Sequence, residues 1–319
     1  MSLPALAAVR ARFPQAHIAV LARPWVEGLY RRQPFADEII PYQPAPGWQG
    51  VQDRLAIARL LRRKRFDCAV LLQNAFDAAL VTFLAGIPRR IGYARDGRAP
   101  LLTSAVPVPD KGAIPPHESF YYLELLRRIG WLDQLPSQPL VRLAGIHPAP
   151  RPLIGVSPGA AFGSAKRWLP ERFAESAALL AAPLQAGVAI FGSAQERTLC
   201  EQVRGGLAAR GIDAHNHAGE TTLEEFISLA ASCMLFLTND SGAMHIASAL
   251  GVPTVAVFGA TNHVTTGPTG PLARVVRHGF DCSPCLLREC PIDHRCMTAV
   301  ASGEVVAAAH ELLLQMDVK

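Results

Sequence analysis

Apolar and polar positions along this chain alternate between two periods. Near-continuous apolar runs of strand length occur at His17–Ala22 (HIAVLA), Phe66–Leu72 (FDCAVLL), Leu153–Ser157 (LIGVS), Gly187–Phe191 (GVAIF), Met234–Thr238 (MLFLT) and Pro253–Phe258 (PTVAVF). Such runs fit strands buried on both faces of a parallel sheet. Helical spacing lies between them. It covers Leu3, Leu6, Ala7 and Arg10, then a helix whose apolar side carries Val51, Leu55 and Ala58, then Glu118–Ile129, Phe226–Ala231 and roughly Gly303–Met316. Thr222 and Glu225 have the spacing of a capping box ahead of Phe226. Strand and helix in alternation predict an α/β protein with parallel sheets and right-handed crossovers.

The alternation is interrupted once. Pro136, Pro139, Pro148, Pro150 and Pro152 punctuate a stretch of little periodicity, which reads as a linker. The predicted organisation is a first Rossmann-like domain over 1–135, a linker over 136–152 and a second Rossmann-like domain over 153–319. Half of the 319 residues are apolar and 18% are charged, enough for two buried cores. No apolar run would span a bilayer, and no secretory signal is evident, so the expected location is the cytoplasm.

The formal charge of +5 suits an anionic substrate or an anionic membrane surface. No nucleic-acid partner is expected. The dense basic run Arg59, Arg62, Arg63, Lys64, Arg65 sits at a helix end, where it complements the dipole and faces solvent. The alternative is a headgroup patch giving peripheral contact with the cytoplasmic face of the inner membrane.

Two segments follow strands of the second half, where parallel sheets bind ligands. The first is Ser157-Pro-Gly-Ala-Ala-Phe-Gly-Ser-Ala-Lys166-Arg-Trp. Gly159 and Gly163 allow close backbone approach, Ser157 and Ser164 offer hydroxyls, and Lys166 offers a point charge, a set that can hold a diphosphate. It matches neither a P-loop nor G-x-G-x-x-G, and an ordinary strand-to-helix loop is the plainer reading. The second is Thr238-Asn-Asp240-Ser241-Gly242-Ala-Met-His245. Asp240 or Ser241 is expected to cap the next helix, leaving its amides for an anion, with His245 one turn in. Its plainer reading is a capped helix carrying a core histidine.

Together with AGETTLEE (218–225), the longer stretch TNDSGAMHIASALGVPTVAVFGATN (238–262) and CSPCLLREC (282–290), these segments resemble glycosyltransferase family 9, the lipopolysaccharide heptosyltransferases. Order and spacing resemble the heptosyltransferase II branch. The resemblance covers essentially residues 1–300 and implies a GT-B fold, two Rossmann-like domains facing across a cleft. It implies that the second domain binds ADP-heptose. Lys166 and the Ser241 and Gly242 amides would meet phosphate, Asp240 would hold the donor sugar, His245 would line the pocket, and Thr221 would lie near adenine. It also implies inversion at the anomeric carbon and a lipid A–inner core acceptor bound by the first domain. Arg98, in RDGRAPLLTS, is the acceptor-phosphate candidate; otherwise it is a solvated loop arginine. The resemblance further implies a strand and an Asp-bearing loop ahead of Met1. The general base would then be missing, and one central sheet position would be empty.

Cys282-x2-Cys285-x4-Cys290-x5-Cys296 could supply four thiolates to a structural zinc ion, with His294 as a fifth candidate ligand. The alternative is a thiol-rich loop. Donor chemistry requires no cofactor if Lys166 and helix amides neutralise the diphosphate. Two other functions compete: a catalytically inactive nucleotide-sugar binder, and a Rossmann oxidoreductase, which the missing glycine fingerprint disfavours.

Overall fold

The computed structural model describes residues 1–31, 33–140, 142–143 and 151–317. Two compact units divide it, Met1–Pro139 and Leu140–Lys319. The expected linker prolines Pro148 and Pro150 lie outside the described residues.

The first unit runs α1 (Leu3–Arg12), β1 (Ala19–Ala22), α2 (Glu27–Arg31), β2 (Glu38–Pro41), α3 (Gly47–Lys64), β3 (Cys68–Leu71), α4 (Phe76–Leu84), β4 (Arg89–Tyr93), β5 (Ser104–Val106) and α5 (Glu118–Arg128). All its strand pairs are parallel: β1 with β2, and separately β3–β4–β5. Alternating side chains of β3 show how it is covered. Ala69 packs among Ile57, Leu61 and Val81 of α3 and α4, whereas Val70 packs among Ala5 of α1 and Phe120 and Leu123 of α5. Ile40 of β2 and Leu21 of β1 join the α3–α4 cluster, so both sheets belong to one layer. Among the described residues β1 pairs only with β2, and β3 only with β4.

The apolar side of α3 differs from expectation. Ala58 is buried with Ile57 and Leu61, but Val51 is 40% and Leu55 39% exposed. Ile57 and Leu61 lie on a helix face turned away from Val51 and Leu55, with Ala58 between the two faces, and Ile57 with Leu61 has the greater apolar bulk to bury. The basic helix end is partly committed: Arg62 donates to the Leu84 and Ala85 carbonyls, and Lys64 pairs with Glu38 at 2.6 Å.

The second unit runs β6 (Leu153–Ser157), α6 (Pro170–Leu184), β7 (Gly187–Ile190), α7 (Arg197–Ala208), β8 (Ala214–Asn216), α8 (Leu223–Ala231), β9 (Leu235–Asn239), α9 (Gly242–Ala249), β10 (Thr254–Val257), α10 (His263–Thr266), β11 (Ala273–Val276), α11 (Arg295–Thr298) and α12 (Ser302–Asp317). Its parallel sheet has the order β11-β10-β9-β6-β7-β8. Leu235 and Leu237 pack toward Phe173 of α6, Leu207 of α7 and Leu312 of α12. The intervening Phe236 meets Phe226 of α8 on the other face. Every residue of β9 and β10 is buried, as apolar runs in a sheet covered on both sides require. The capping box forms as read: Thr222 accepts from the Glu225 amide at 3.3 Å, and Glu225 accepts from the Thr222 amide at 2.8 Å. Each unit is an α/β fold built on parallel strands.

Candidate functional site: the switch point of the second sheet

Strand order in the second unit reverses between β6 and β9. From β6 the chain steps outward through β7 and β8; from β9 it steps outward through β10 and β11. At such a reversal the loops leaving the two central strands diverge and open a crevice beyond their carboxyl ends. The two sequence segments singled out above leave β6 and β9.

A side chain of β9 ties the β6 loop shut. Asn239, fully buried, donates from Nδ2 to the Pro158 carbonyl at 2.7 Å and accepts from the Trp168 amide at 3.0 Å. Trp168 is itself fixed by its indole N–H, which donates to the Val300 carbonyl at 3.1 Å. The loop between these clamps presents Lys166. One glycine is required on the way: a methyl group at Gly163, where φ is +157°, would overlap the Arg288 carbonyl. At Gly159 it would displace the Glu196 carboxylate.

Lys166 Nζ stands 2.5 Å from Asp240 Oδ2, with the two side chains 12% and 6% exposed. Thr261, following β10, donates to the same oxygen at 2.6 Å. Loops from β6, β9 and β10 therefore meet on one carboxylate. Lys166 also stands 5.2 Å from the centre of the Phe162 ring, and the Arg288 guanidinium lies 5.4 Å from that ring. Beside them begins α9. Its N-cap Ser241 makes no side-chain cap bond, and its hydroxyl lies 3.2 Å from that of Thr238. The expectation that Asp240 or Ser241 caps this helix is therefore corrected. Asp240 turns to Lys166 and Thr261 instead, because a buried carboxylate gains more from a cation than from a cap. The leading amides of α9 are left without a side-chain cap, an arrangement suited to an anion.

The other expected donor residues occupy the same edge of the sheet. Ser157 is buried at the end of β6, Ser164 is exposed in the turn before Lys166, and Gly242 is exposed at the start of α9. Thr221 is half-buried in the loop after β8, and His245 is half-buried one turn into α9. Arg98 is neither a solvated loop residue nor a group presented to a ligand. It is fully buried, donating to the Tyr93 carbonyl and to Asn74 Oδ1 at 3.0 Å each, and to the Gln73 carbonyl. Burial pulls its pKa down. With its guanidinium folded beneath β4, it offers no open face to an acceptor phosphate and instead holds the loop after β3.

Cys282, Cys285, Cys290 and Cys296 line one pocket together with Ala165, Ala260 and His294. Among the described residues no three of these sulfurs lie within 4.8 Å of one another. His215, His217 and Glu220 do place ligand atoms within 4.8 Å of one another at the end of β8. Glu220, however, is already paired with Arg197 at 2.9 Å, and His215 with Glu220 at 3.3 Å; this is an exposed charge cluster.

Sequence reasoning passed over Asn239, Thr261, Glu196 and Arg288. Asn239 had a signal: a polar amide closing an otherwise apolar strand needs partners once buried. The other three had none, since only the fold brings them to the β6 loop.

Residues 54–295 match glycosyltransferase family 9 (heptosyltransferase). The lipopolysaccharide heptosyltransferase 2 of Escherichia coli K12 is 36% identical over 84% of this chain and 81% of its own length. The lipooligosaccharide heptosyltransferase 2 of Haemophilus ducreyi is 32% identical over 84% of this chain and 82% of its own. Among solved structures, the E. coli ADP-heptose lps heptosyltransferase II superposes with a TM-score of 0.83 at 33% identity, covering 99% of this chain and 95% of that one.

Proposed function

The chain belongs to glycosyltransferase family 9, and from that premise we propose that it moves heptose from ADP-heptose to the inner core of lipopolysaccharide, with inversion at the anomeric carbon. The observation that carries the reading is the buried Lys166–Asp240 pair at the β6/β9 switch point, beside the uncapped start of α9.

The chemistry follows from those charges. An incoming diphosphate competes with Asp240 for Lys166 and gains the amides of α9, whose partial positive charge favours an anion. Asp240, keeping Thr261, becomes free to accept a hydrogen bond from a hydroxyl of the donor sugar. The acceptor oxygen then attacks the anomeric carbon as the bond from that carbon to the diphosphate oxygen breaks. ADP departs with the electron pair, and Lys166, the helix amides and the nearby Arg288 stabilise the charge it acquires. The acceptor proton passes to a carboxylate base, to which we assign no residue of this chain. These cationic groups meet the charge of the leaving group without a metal.

The acceptor is lipid-linked, and we place peripheral membrane contact on α3. Trp48 is 74% exposed there, sharing a face with Val51 and Leu55 ahead of the exposed Arg59 and Arg63. An exposed aromatic–aliphatic stripe running into basic residues suits an anionic bilayer surface. Among the described residues no helix is long and apolar enough to cross a membrane.

Incubation with ADP-heptose and a core acceptor lacking its second heptose tests the transfer. The expected result is ADP release matched by an acceptor gaining one heptose. Donor binding without any transfer would select the nucleotide-sugar-binding reading instead.

A further inference from the structure

From Arg277 to His294, between β11 and α11, the chain contains no helix or strand. Long segments without secondary structure are uncommon inside compact domains unless something holds them. Apolar burial holds it only near its start, where Phe280 packs on the core: Leu286, Leu287 and Ile292 are 63%, 44% and 59% exposed. Even so, the segment is laid against both loops that converge on Asp240. The Leu286 amide donates to the Ala260 carbonyl at 2.8 Å, and the Ser283 hydroxyl to the Gly259 carbonyl at 2.6 Å. The Arg288 carbonyl accepts from the Ala165 amide at 3.0 Å, and a ring nitrogen of His294 lies 3.0 Å from the Ala165 carbonyl. Ala165 precedes Lys166, and Ala260 precedes Thr261.

The four cysteines are distributed to close such a strap. Cys282 and Cys285 stand at its beginning and Cys290 in its middle. Cys296 stands beyond its end on α11, 6% exposed beneath Gly259. All four line one pocket. Arg295 lines the same pocket and pairs with Asp293 at 2.9 Å.

We propose that Cys282, Cys285, Cys290 and Cys296 bind one thiophilic divalent metal ion that fastens this strap to the donor loops. A tetrahedral zinc site needs metal–sulfur distances of about 2.3 Å. The sulfurs stand further apart than that arrangement demands. Metal binding therefore requires the thiols of Cys282, Cys285 and Cys290 to move toward Cys296 within the pocket that all four line. The binding step is M²⁺ plus four R–SH giving M(SR)₄²⁻ plus four H⁺, without oxidation or reduction. Arg295, which lines the same pocket, supplies positive charge beside the resulting dianion. His294 stays outside the ligand set, its ring nitrogen holding the Ala165 carbonyl.

The test is metal analysis of the full chain, purified under reducing conditions without chelator and then dialysed separately against Zn²⁺ and Fe²⁺. The expected result is one equivalent of metal per chain, a cobalt-substituted form with thiolate-to-metal absorption, and loss of the metal when Cys285→Ser and Cys290→Ser are combined. The dialysis arms identify the ion. In the unmodified chain, a mercurial thiol reagent should release the metal only as these thiols react, which keeps the test independent of whether the variant folds. Metal content at background after dialysis, or retention of metal with all four cysteines replaced by serine, would overturn the proposal.

Discussion

Replacing Lys166 by alanine perturbs two things that the structure joins. In the unliganded protein it removes the cation facing Asp240, whose side chain is 6% exposed, leaving that carboxylate only the Thr261 hydroxyl. Breaking a buried ion pair from one side costs about 3–5 kcal/mol. Lys166 retains 12% exposure, so the lower end of that range applies, roughly 3 kcal/mol. For a domain of this size, about 2–4 °C is lost per kcal/mol, which predicts a fall of about 6–12 °C in the melting temperature. In the liganded protein the same substitution removes one charge-assisted contact to phosphate, worth about 1.5–3 kcal/mol. That corresponds to a weakening of ADP binding by about 10- to 150-fold. Calorimetric titration and thermal melting of the same preparations separate the two effects. Adding Asp240→Asn to Lys166→Met should recover most of the stability, because no unpaired charge remains, and should leave ADP binding weak. An ADP affinity unchanged in Lys166→Ala would refute the reasoning even if the melting temperature fell, since Lys166 would then serve the fold alone.

Four further outcomes follow from named contacts. Asp240→Asn alone should leave ADP binding intact or tighter, because the competitor for Lys166 is neutral, while heptose transfer falls; paired titration and transfer assays check this. Gly159→Ala should weaken ADP binding by forcing its methyl into the Glu196 carboxylate, and Glu196→Ala in the same chain should restore it. Trp48→Ala should reduce co-sedimentation with vesicles containing anionic lipid and leave ADP affinity unchanged; equal sedimentation of both proteins would move the membrane contact away from α3. Glu124 is 1% exposed, and its bonds to Arg127 and then Arg128 hold its pKa below the usual carboxylate value against opposing desolvation. A depressed folded-state pKa means stability that is present above the unfolded value and lost as pH falls through the folded one. Glu124→Gln should therefore lower stability at pH 7 and flatten its decline in acid, as urea unfolding at a series of pH values would show.

Much of the second unit was legible because its central strands are buried on both faces. The runs LIGVS, GVAIF, MLFLT and PTVAVF became β6, β7, β9 and β10 with ends shifted by at most a residue or two. Of the strands that escaped notice, β2, β4, β5, β8 and β11, two have only three residues, and most carry charged or polar residues, such as Arg89 and Arg90 in β4 and His215 in β8. Such segments owe their conformation to the neighbouring strand more than to their own pattern. Lys166 and Asp240 could be named separately from loop chemistry. Their pairing could not, because it depends on β6 and β9 lying side by side. Arg98 was misread for the same reason. A charged residue in a polar loop looks solvated until the carbonyls that receive it are known.

The most direct test of the account is a crystal structure of the protein with ADP bound. It should show the diphosphate at the carboxyl ends of β6 and β9, with Lys166 Nζ moved from Asp240 onto a phosphate oxygen and the first amides of α9 pointing at the same group. Nucleotide density elsewhere, with the Lys166–Asp240 pair undisturbed, would contradict the assignment of this switch point as the donor site.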